Sequence, residues 1–276
     1  MKKVIKTDKL STDIHSKLYS DLHYSPNDDL SFFYKEIEEF KKKKIDYTFF
    51  LGDIIDDARY TLDELRELLE IFKTMAKYSK VLMVFGNHDY YTKLEDGFWI
   101  EHDYDKSITE FKNLGITVLE NELYSDELIN AYGLSFDANY YESDEPLLVF
   151  EGKTEEIEFD ERKYNILMSH SPYRTFDRKV IDKHSNLQSI DLTLAGHYHN
   201  GCIPWYLPIP TNRGIISPTL SLFPDNARGS KWITDTNFGI IASPVTTFAS
   251  RTRLGWVNKM LYPPVTQDII IKSKRY

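Results

Sequence analysis

Five short stretches of this 276-residue chain set a carboxylate, an imidazole or a side-chain amide at the end of an apolar run: Asp21-Leu22-His23, Gly52-Asp53, Gly86-Asn87-His88-Asp89, Ser169-His170 and Gly196-His197-Tyr198-His199. A lone histidine is usually a packed or surface residue. Here most of the eight histidines follow apolar runs directly, beside glycine or aspartate, which packing alone does not require. The chemistry that such a set supports is hydrolysis at a pair of divalent cations. Carboxylate, imidazole and amide oxygen suit manganese, iron, zinc or magnesium, and no thiolate is positioned for a soft zinc site. Two cations about 4 Å apart need one bridging carboxylate and terminal ligands on each side. A water bridging them loses a proton near neutral pH, and phosphoryl oxygens docked on them have their charge offset.

The elements that must deliver these groups follow from the period of the apolar residues. Ile14 to Ser20 reads as a short strand, unusually polar for a central one, ending at Asp21. Asp46 to Leu51 ends at Gly52-Asp53, Val81 to Phe85 at Gly86, Tyr164 to Ser169 at His170, and Leu192 to Ala195 at Gly196. Between the first of these strands, Asn27, Asp28 and Asp29 offer cap chemistry ahead of Phe32, Phe33, Ile37 and Phe40 at helical spacing. Thr61 and Glu64 form a capping box before Leu65, Leu68, Leu69, Phe72 and Met75. Strand, helix, strand, helix, strand predicts a parallel sheet with helical crossovers, whose functional groups gather beyond the carboxyl ends of the strands.

Further on, Ile108, Phe111 and Leu114 predict a short helix stopped by Gly115, with strands at 116–119, 128–134, 239–242 and 267–272. Residues 136–163 turn acidic and aromatic and read as a surface excursion or lid, and the tail 200–276 is rich in proline and aromatics. No repeat, low-complexity tract or linker divides the chain, so one domain over 1–276 is expected.

The net charge of -9 and pI of about 5.4 argue against broad phosphate neutralisation, which makes a nucleic-acid partner unlikely on this reading. Cys202 is the sole cysteine, so no intramolecular disulfide forms. That points to a cytoplasmic location, as do an N-terminus without a signal-peptide apolar core and the lack of a run near the roughly 20 apolar residues of a membrane span.

The motifs Asp21-x-His23, Gly52-Asp53-x-x-Asp56, Gly86-Asn87-His88-Asp89, His170 and Gly196-His197-x-His199, in this order over about residues 14 to 200, resemble the calcineurin-like metallophosphoesterases. The resemblance implies an α/β fold of two mixed β-sheets packed as a sandwich, flanked by helices, with two metals at the shared edge. It implies that Asp21, His23, Asp53 and His199 hold one metal and that Asp53, Asn87, His170 and His197 hold the other, with Asp53 bridging. His88 then binds no metal but protonates the leaving group, with Asp89 placed to orient its imidazole. Asp56 stands between support for the ligands and a plain loop carboxylate.

Protein serine/threonine phosphatases of the superfamily carry a phosphate-contacting arginine where this chain reads Asp56-Asp57-Ala58. The segment His199-Asn200-Gly201 is instead similar to a small bacterial branch of phosphodiesterases and pyrophosphatases acting on nucleotide-linked lipid precursors. The expected activity is therefore dinuclear-metal-dependent hydrolysis, manganese first among the metals, of a phosphodiester, pyrophosphate or phosphomonoester in a small molecule, nucleotide or lipid-linked substrate. Trp205, Tyr206, Leu207, Trp232, Phe238 and Trp256 are candidates to line an apolar cleft, and Arg213, Arg228, Arg251 and Arg253 to clamp a second phosphate. Two other readings are a catalytically silent scaffold of the same fold and a nuclease or cyclic-nucleotide phosphodiesterase.

Overall fold

Period-two alternation divides the central strands between two cores. In β2 (Ile14–Tyr19), β3 (Tyr47–Leu51) and β4 (Lys80–Val84), the side chains of Ile14, Leu18, Phe49, Leu82 and Val84 join one core, and those of Tyr19, Phe50, Val81 and Met83 the other. Strands covered on both faces read as continuous apolar runs, as these do. The computed structural model describes residues 1–26, 28–57, 59–93, 99–101, 105–136, 150, 152–155, 157–204, 206–207, 211–216, 222–245 and 260–274.

Two mixed six-stranded sheets result. The first runs β1 (Lys2–Thr7), β14 (Gln267–Ser273), β2, β3, β4, β7 (Ile116–Val118). Within it β2, β3, β4 and β7 are parallel, whereas β14 is antiparallel to β2 and parallel to β1. The second runs β12 (Gly229–Trp232), β13 (Phe238–Ile241), β11 (Leu192–Ala195), β10 (Tyr164–Ser169), β9 (Ile129–Leu134), β8 (Glu122–Ser125). Its four inner strands are parallel and its two edges antiparallel. A small antiparallel pair, β5 (Tyr91–Lys93) and β6 (Trp99–Glu101), stands apart.

The sheets pack face to face, with Leu18, Phe49 and Leu82 of the first meeting Ile166, Leu192 and Ile240 of the second. Helices α1 (Ser31–Lys42), α2 (Arg66–Ala76) and α4 (Asp105–Asn113) cover the outer face of the first sheet through Phe33, Ile37, Leu68, Phe72 and Phe111. Phe72 is fully buried with its ring 4.7 Å from that of Phe50, so truncation to alanine would cost about 3–5 kcal/mol. The Thr61–Glu64 capping box forms, with Thr61 N–H donating to Glu64 at 2.8 Å and Glu64 N–H to Thr61 Oγ1 at 3.3 Å, but a turn intervenes before α2 begins.

The polarity of β2 has a specific cause. Lys17 is buried on its outer face, with Nζ 2.8 Å from Glu36 Oε2 and 3.0 Å from Glu39 Oε2 on α1, and 3.6 Å from Asp268 Oδ1 on β14. The Tyr19 hydroxyl also donates to Glu36. A charge taken out of water persists when it is paired and hydrogen-bonded in this way.

The outer face of the second sheet is covered by α5 (Arg178–Ile181) and by both ends of the acidic stretch after β9. Phe136, Phe150 and Ile157 are buried there against Leu134, Leu167 and Ile181. The ends of the expected excursion are thus part of the core, and residues 137–149, on which the lid reading chiefly rests, lie outside the described residues.

Candidate metal centre

The parallel strands of both sheets end at one edge, and main-chain bonds join their exits. Asp21 N–H donates to the Gly52 carbonyl at 3.0 Å, His23 N–H to the Asp53 carbonyl at 2.8 Å, and Gly196 N–H to the His170 carbonyl at 2.8 Å. The imidazole of His170 crosses between the sheets, its Nδ1 2.7 Å from the Leu51 carbonyl. The approach is close enough to need glycine. Gly52 has φ of 83°, and a side chain there would stand 2.5 Å from Gly86 N and 2.7 Å from His170 Nδ1, while one at Gly86 would collide with the Asp53 carboxylate.

Left-handed backbone concentrates in the same loops: φ is 53° at Asp21, 45° at His23, 51° at Asp53, 70° at His197 and 46° at His199. Such conformations cost non-glycine residues about 1–3 kcal/mol each and persist where the surroundings enforce them, commonly at functional sites. The side chains thereby converge. Asp21, His23, Asp53 and His199 offer donor atoms within 4.8 Å of one another, and so do Asp53, His170 and His197. Asp53 belongs to both sets. Its Oδ2 lies 3.1 Å from His170 Nε2 and 3.4 Å from His23 Nε2. His199 Nε2 is 3.7 Å from Asp21 Oδ1 and 3.3 Å from His23 Nε2, and His197 Nδ1 is 3.0 Å from His170 Nε2.

Buried imidazole nitrogens that face one another across two carboxylates are arranged around positive charge. The electrostatics agree. Burial opposes ionisation of Asp53, yet His170, His88 and His23 outweigh it and hold the carboxyl well below its usual range. His170 is depressed by burial but pushed up to about 9 by Asp53, whereas burial and the charge of His170 drive His197 well below the usual imidazole value. Asn87 supplies an independent sign, because its Oδ1 is buried and accepts no hydrogen bond from the described residues. An amide oxygen withdrawn from water without a donor costs roughly 1–3 kcal/mol, which a cation would offset. Carboxylate, imidazole and amide donors in this arrangement fit divalent metal ions.

A family model for calcineurin-like phosphoesterases matches residues 12–201, the span that contains every one of these donors. The chain belongs to the calcineurin-like phosphoesterase family. An uncharacterized metallophosphoesterase of Aquifex aeolicus is 27% identical over 282 residues, covering 99% of this chain and 91% of the relative. Another, of Helicobacter pylori, is 25% identical over 197 residues, or 71% of this chain and 47% of the relative. A dimetal phosphatase structure from Danio rerio aligns at 11% identity with a TM-score of 0.43, over 84% of this chain and 87% of that one.

The two remaining motif residues of this phosphoesterase part company. His88 is half-buried at the start of α3 (Asn87–Tyr90), its ring edge-on to His23 with centroids 4.6 Å apart. Its Nδ1 lies 3.1 Å from the Asp56 carbonyl, not against Asp89. Asp89 is buried and accepts three main-chain N–H groups: Ile54 at 2.8 Å and Ile55 at 3.1 Å on Oδ1, and Gly86 at 2.8 Å on Oδ2. Burial and the charge of Asp53 push its pKa up to about 7 against those bonds. The reading of Asp89 as the orienter of His88 is therefore corrected: it ties the Asp53 and Asn87 loops together. The contact to His88 comes instead from the main chain of Asp56, and the Asp56 Oδ1 stands 3.4 Å from His23 Nδ1, the supporting position that was one of the two readings of this residue.

Of the tail residues, Trp232 is 60% exposed and packs edge-on against Phe238, so it lines no closed cleft. Trp205, Trp256, Arg251 and Arg253 lie outside the described residues. Cys202 is half-buried, burial pushes its thiol up to about 11, and it belongs to none of the donor clusters found among the described residues. Among the described residues no helix is long and apolar enough to cross a membrane.

Proposed function

We propose that this protein is a dinuclear metal-dependent phosphoesterase acting on a phosphodiester or pyrophosphate bond. The observation that carries the reading is the membership of the Asp53 carboxylate in both donor clusters, the arrangement that a bridging ligand requires. Asp21, His23, Asp53 and His199 hold one cation, and Asp53, Asn87, His170 and His197 the other, with manganese the first choice and iron, zinc or magnesium also suited to the donors. Bound divalent cations supply Lewis acidity, which acidifies a water and offsets charge on the phosphoryl oxygens.

The chain's own groups do the rest. Asp53 Oδ1 accepts the His88 main-chain N–H at 3.0 Å and sets the distance between the imidazole and the metal ligands. His88 Nδ1 lies 3.1 Å from the Asp56 carbonyl, which fixes the ring, and the imidazole is the group that gives a proton to the departing oxygen. A diester or pyrophosphate is favoured because the second motif continues Asp56-Asp57-Ala58 where the protein phosphatases of the superfamily carry a phosphate-contacting arginine. The test is hydrolysis of bis-p-nitrophenyl phosphate and p-nitrophenyl phosphate by purified protein with manganese, alongside metal analysis. Turnover faster on the diester, with two metals per chain, is expected; no turnover on either defeats the reading.

A further inference from the structure

Most described arginines are neutralised where they stand. Arg59, Arg66, Arg162, Arg178 and Arg213 each have a carboxylate oxygen within 3.2 Å, and Arg174, whose Nε is buried without a partner among the described residues, still has Asp177 Oδ2 4.0 Å from its Nη1. Arg228 has none among the described residues, and its Nη1 is closed off from solvent without an acceptor. Burial pulls its pKa below the usual guanidinium value, with no neighbouring carboxylate to oppose the shift. Burial pulls Lys231, three residues on, down as well, but there Asp177 and Asp225 oppose the shift. A guanidinium nitrogen shielded from water and left without an acceptor is costly until an anion completes it.

Its position gives the missing anion a source. Arg228 follows Ala227, which is fully buried. A side chain at Gly201 would stand 3.2 Å from the Ala227 methyl. The Gly201 carbonyl accepts the Ile215 N–H at 2.8 Å, and Ala227 N–H donates to the Asn212 carbonyl at 2.8 Å. Gly214 and Ala227 are thus packed on the loop that carries His199, and Arg228 is the next residue along the chain from that contact. Arg213 lies in the same segment but is satisfied by Asp225 at 2.7 Å. On a chain of net charge -9, attraction of a second anionic group has to be local.

We propose that Arg228 is a specificity residue that binds a second phosphate group of the substrate, beyond the phosphoryl group under attack. The proposal rests on the phosphoesterase reading above. It assigns the site to phosphate esters with two oxyanion centres, of which the metals take one and the guanidinium fork the other. Arginine suits this task because its planar donors meet an oxyanion two at a time, whereas lysine offers a point charge.

Thymidine 5′-(p-nitrophenyl phosphate) and the same ester carrying a 3′-phosphate differ by one phosphate group. The full-length, manganese-loaded protein should prefer the 3′-phosphorylated ester in kcat/KM. Arg228→Ala should lower that preference by roughly tenfold to a hundredfold, through KM more than kcat, with Arg228→Lys restoring part of it. A preference unaltered in Arg228→Ala, or equal losses on both esters, would overturn the proposal. A second readout is independent of turnover. Phenylglyoxal modification of Arg228 in the wild-type protein, followed by peptide mass spectrometry, should slow several-fold more in inorganic phosphate than modification of Arg66. Equal slowing of the two arginines also overturns the proposal. Wild-type protein that releases p-nitrophenol from neither ester defeats the hydrolase reading, and the labelling then decides Arg228 alone.

Discussion

The main-chain N–H of His88 donates to Oδ1 of Asp53 at 3.0 Å, while Oδ2 of the same carboxylate faces His170 Nε2 at 3.1 Å. One side chain therefore fixes the imidazole of α3 and sits in both donor clusters. Asp53→Ala should lose on both counts. Metal analysis should show less than one cation per chain after manganese incubation, and kcat on bis-p-nitrophenyl phosphate should fall about a thousandfold or more. Retention of two metals in this variant would show that Asp53 bridges nothing.

His88 should behave differently, because it stands outside the two clusters that share Asp53, although its donor atoms lie with those of His23 and Asp56 in a third group close enough to hold a cation. His88→Ala is expected to keep its metal content and to lose about a hundredfold to ten-thousandfold in kcat, the usual range for a removed proton donor. Asp56→Ala should act through His23, whose Nδ1 it faces at 3.4 Å, and weaken manganese binding about tenfold to a hundredfold. Titration of metal into the two variants separates the roles; loss of metal in His88→Ala would make His88 a ligand.

Asp89 predicts a stability effect. Replacing it by alanine leaves the Ile54, Ile55 and Gly86 N–H groups buried without acceptors, at about 1–3 kcal/mol or more in total. Urea unfolding should show a lower midpoint for Asp89→Ala, with Asp89→Asn intermediate because the amide keeps one accepting oxygen. A midpoint equal to wild type would mean that these loops hold together without it.

Much of this arrangement was legible in the sequence because parallel strands buried on both faces leave unbroken apolar runs, and a polar residue just past such a run can only stand at the sheet edge. The runs ending at Leu51, Val84, Ser169 and Ala195 all behave this way. What stayed hidden depends on partners distant in the chain. β1 carries exposed lysines and is a strand only because Val4 and Ile5 pair with Ile270 and Ile271 of β14. Lys17 reads as a surface residue until Glu36 and Asp268 arrive from elsewhere to pair with it. The same holds at the centre. A carboxylate next to a histidine in sequence suggested a contact between Asp89 and His88, but the tight turn into α3 points Asp89 inward to main-chain donors.

Asp126 gives a pH-dependent prediction far from the metals. It receives Lys80 Nζ at 2.7 Å, the Tyr47 hydroxyl at 2.7 Å and the Tyr124 hydroxyl at 2.8 Å, together with the N–H groups of Leu128 and Ile129. Burial opposes its ionisation, but Lys80 and the other donors prevail and hold its carboxyl below the usual carboxylate range. Because the folded value is depressed, the native state binds fewer protons than the unfolded chain. The stabilisation from Asp126 is then complete above the unfolded carboxyl value of about 3.9 and is lost as pH falls below it. Asp126→Asn should therefore cost about 2 kcal/mol near pH 7, by nearly the same amount at about pH 5, and progressively less below about pH 4. Urea midpoints of wild type and variant across this range check the sign. A gap that widens on acidification would mean that the cluster stabilises the protonated carboxyl instead.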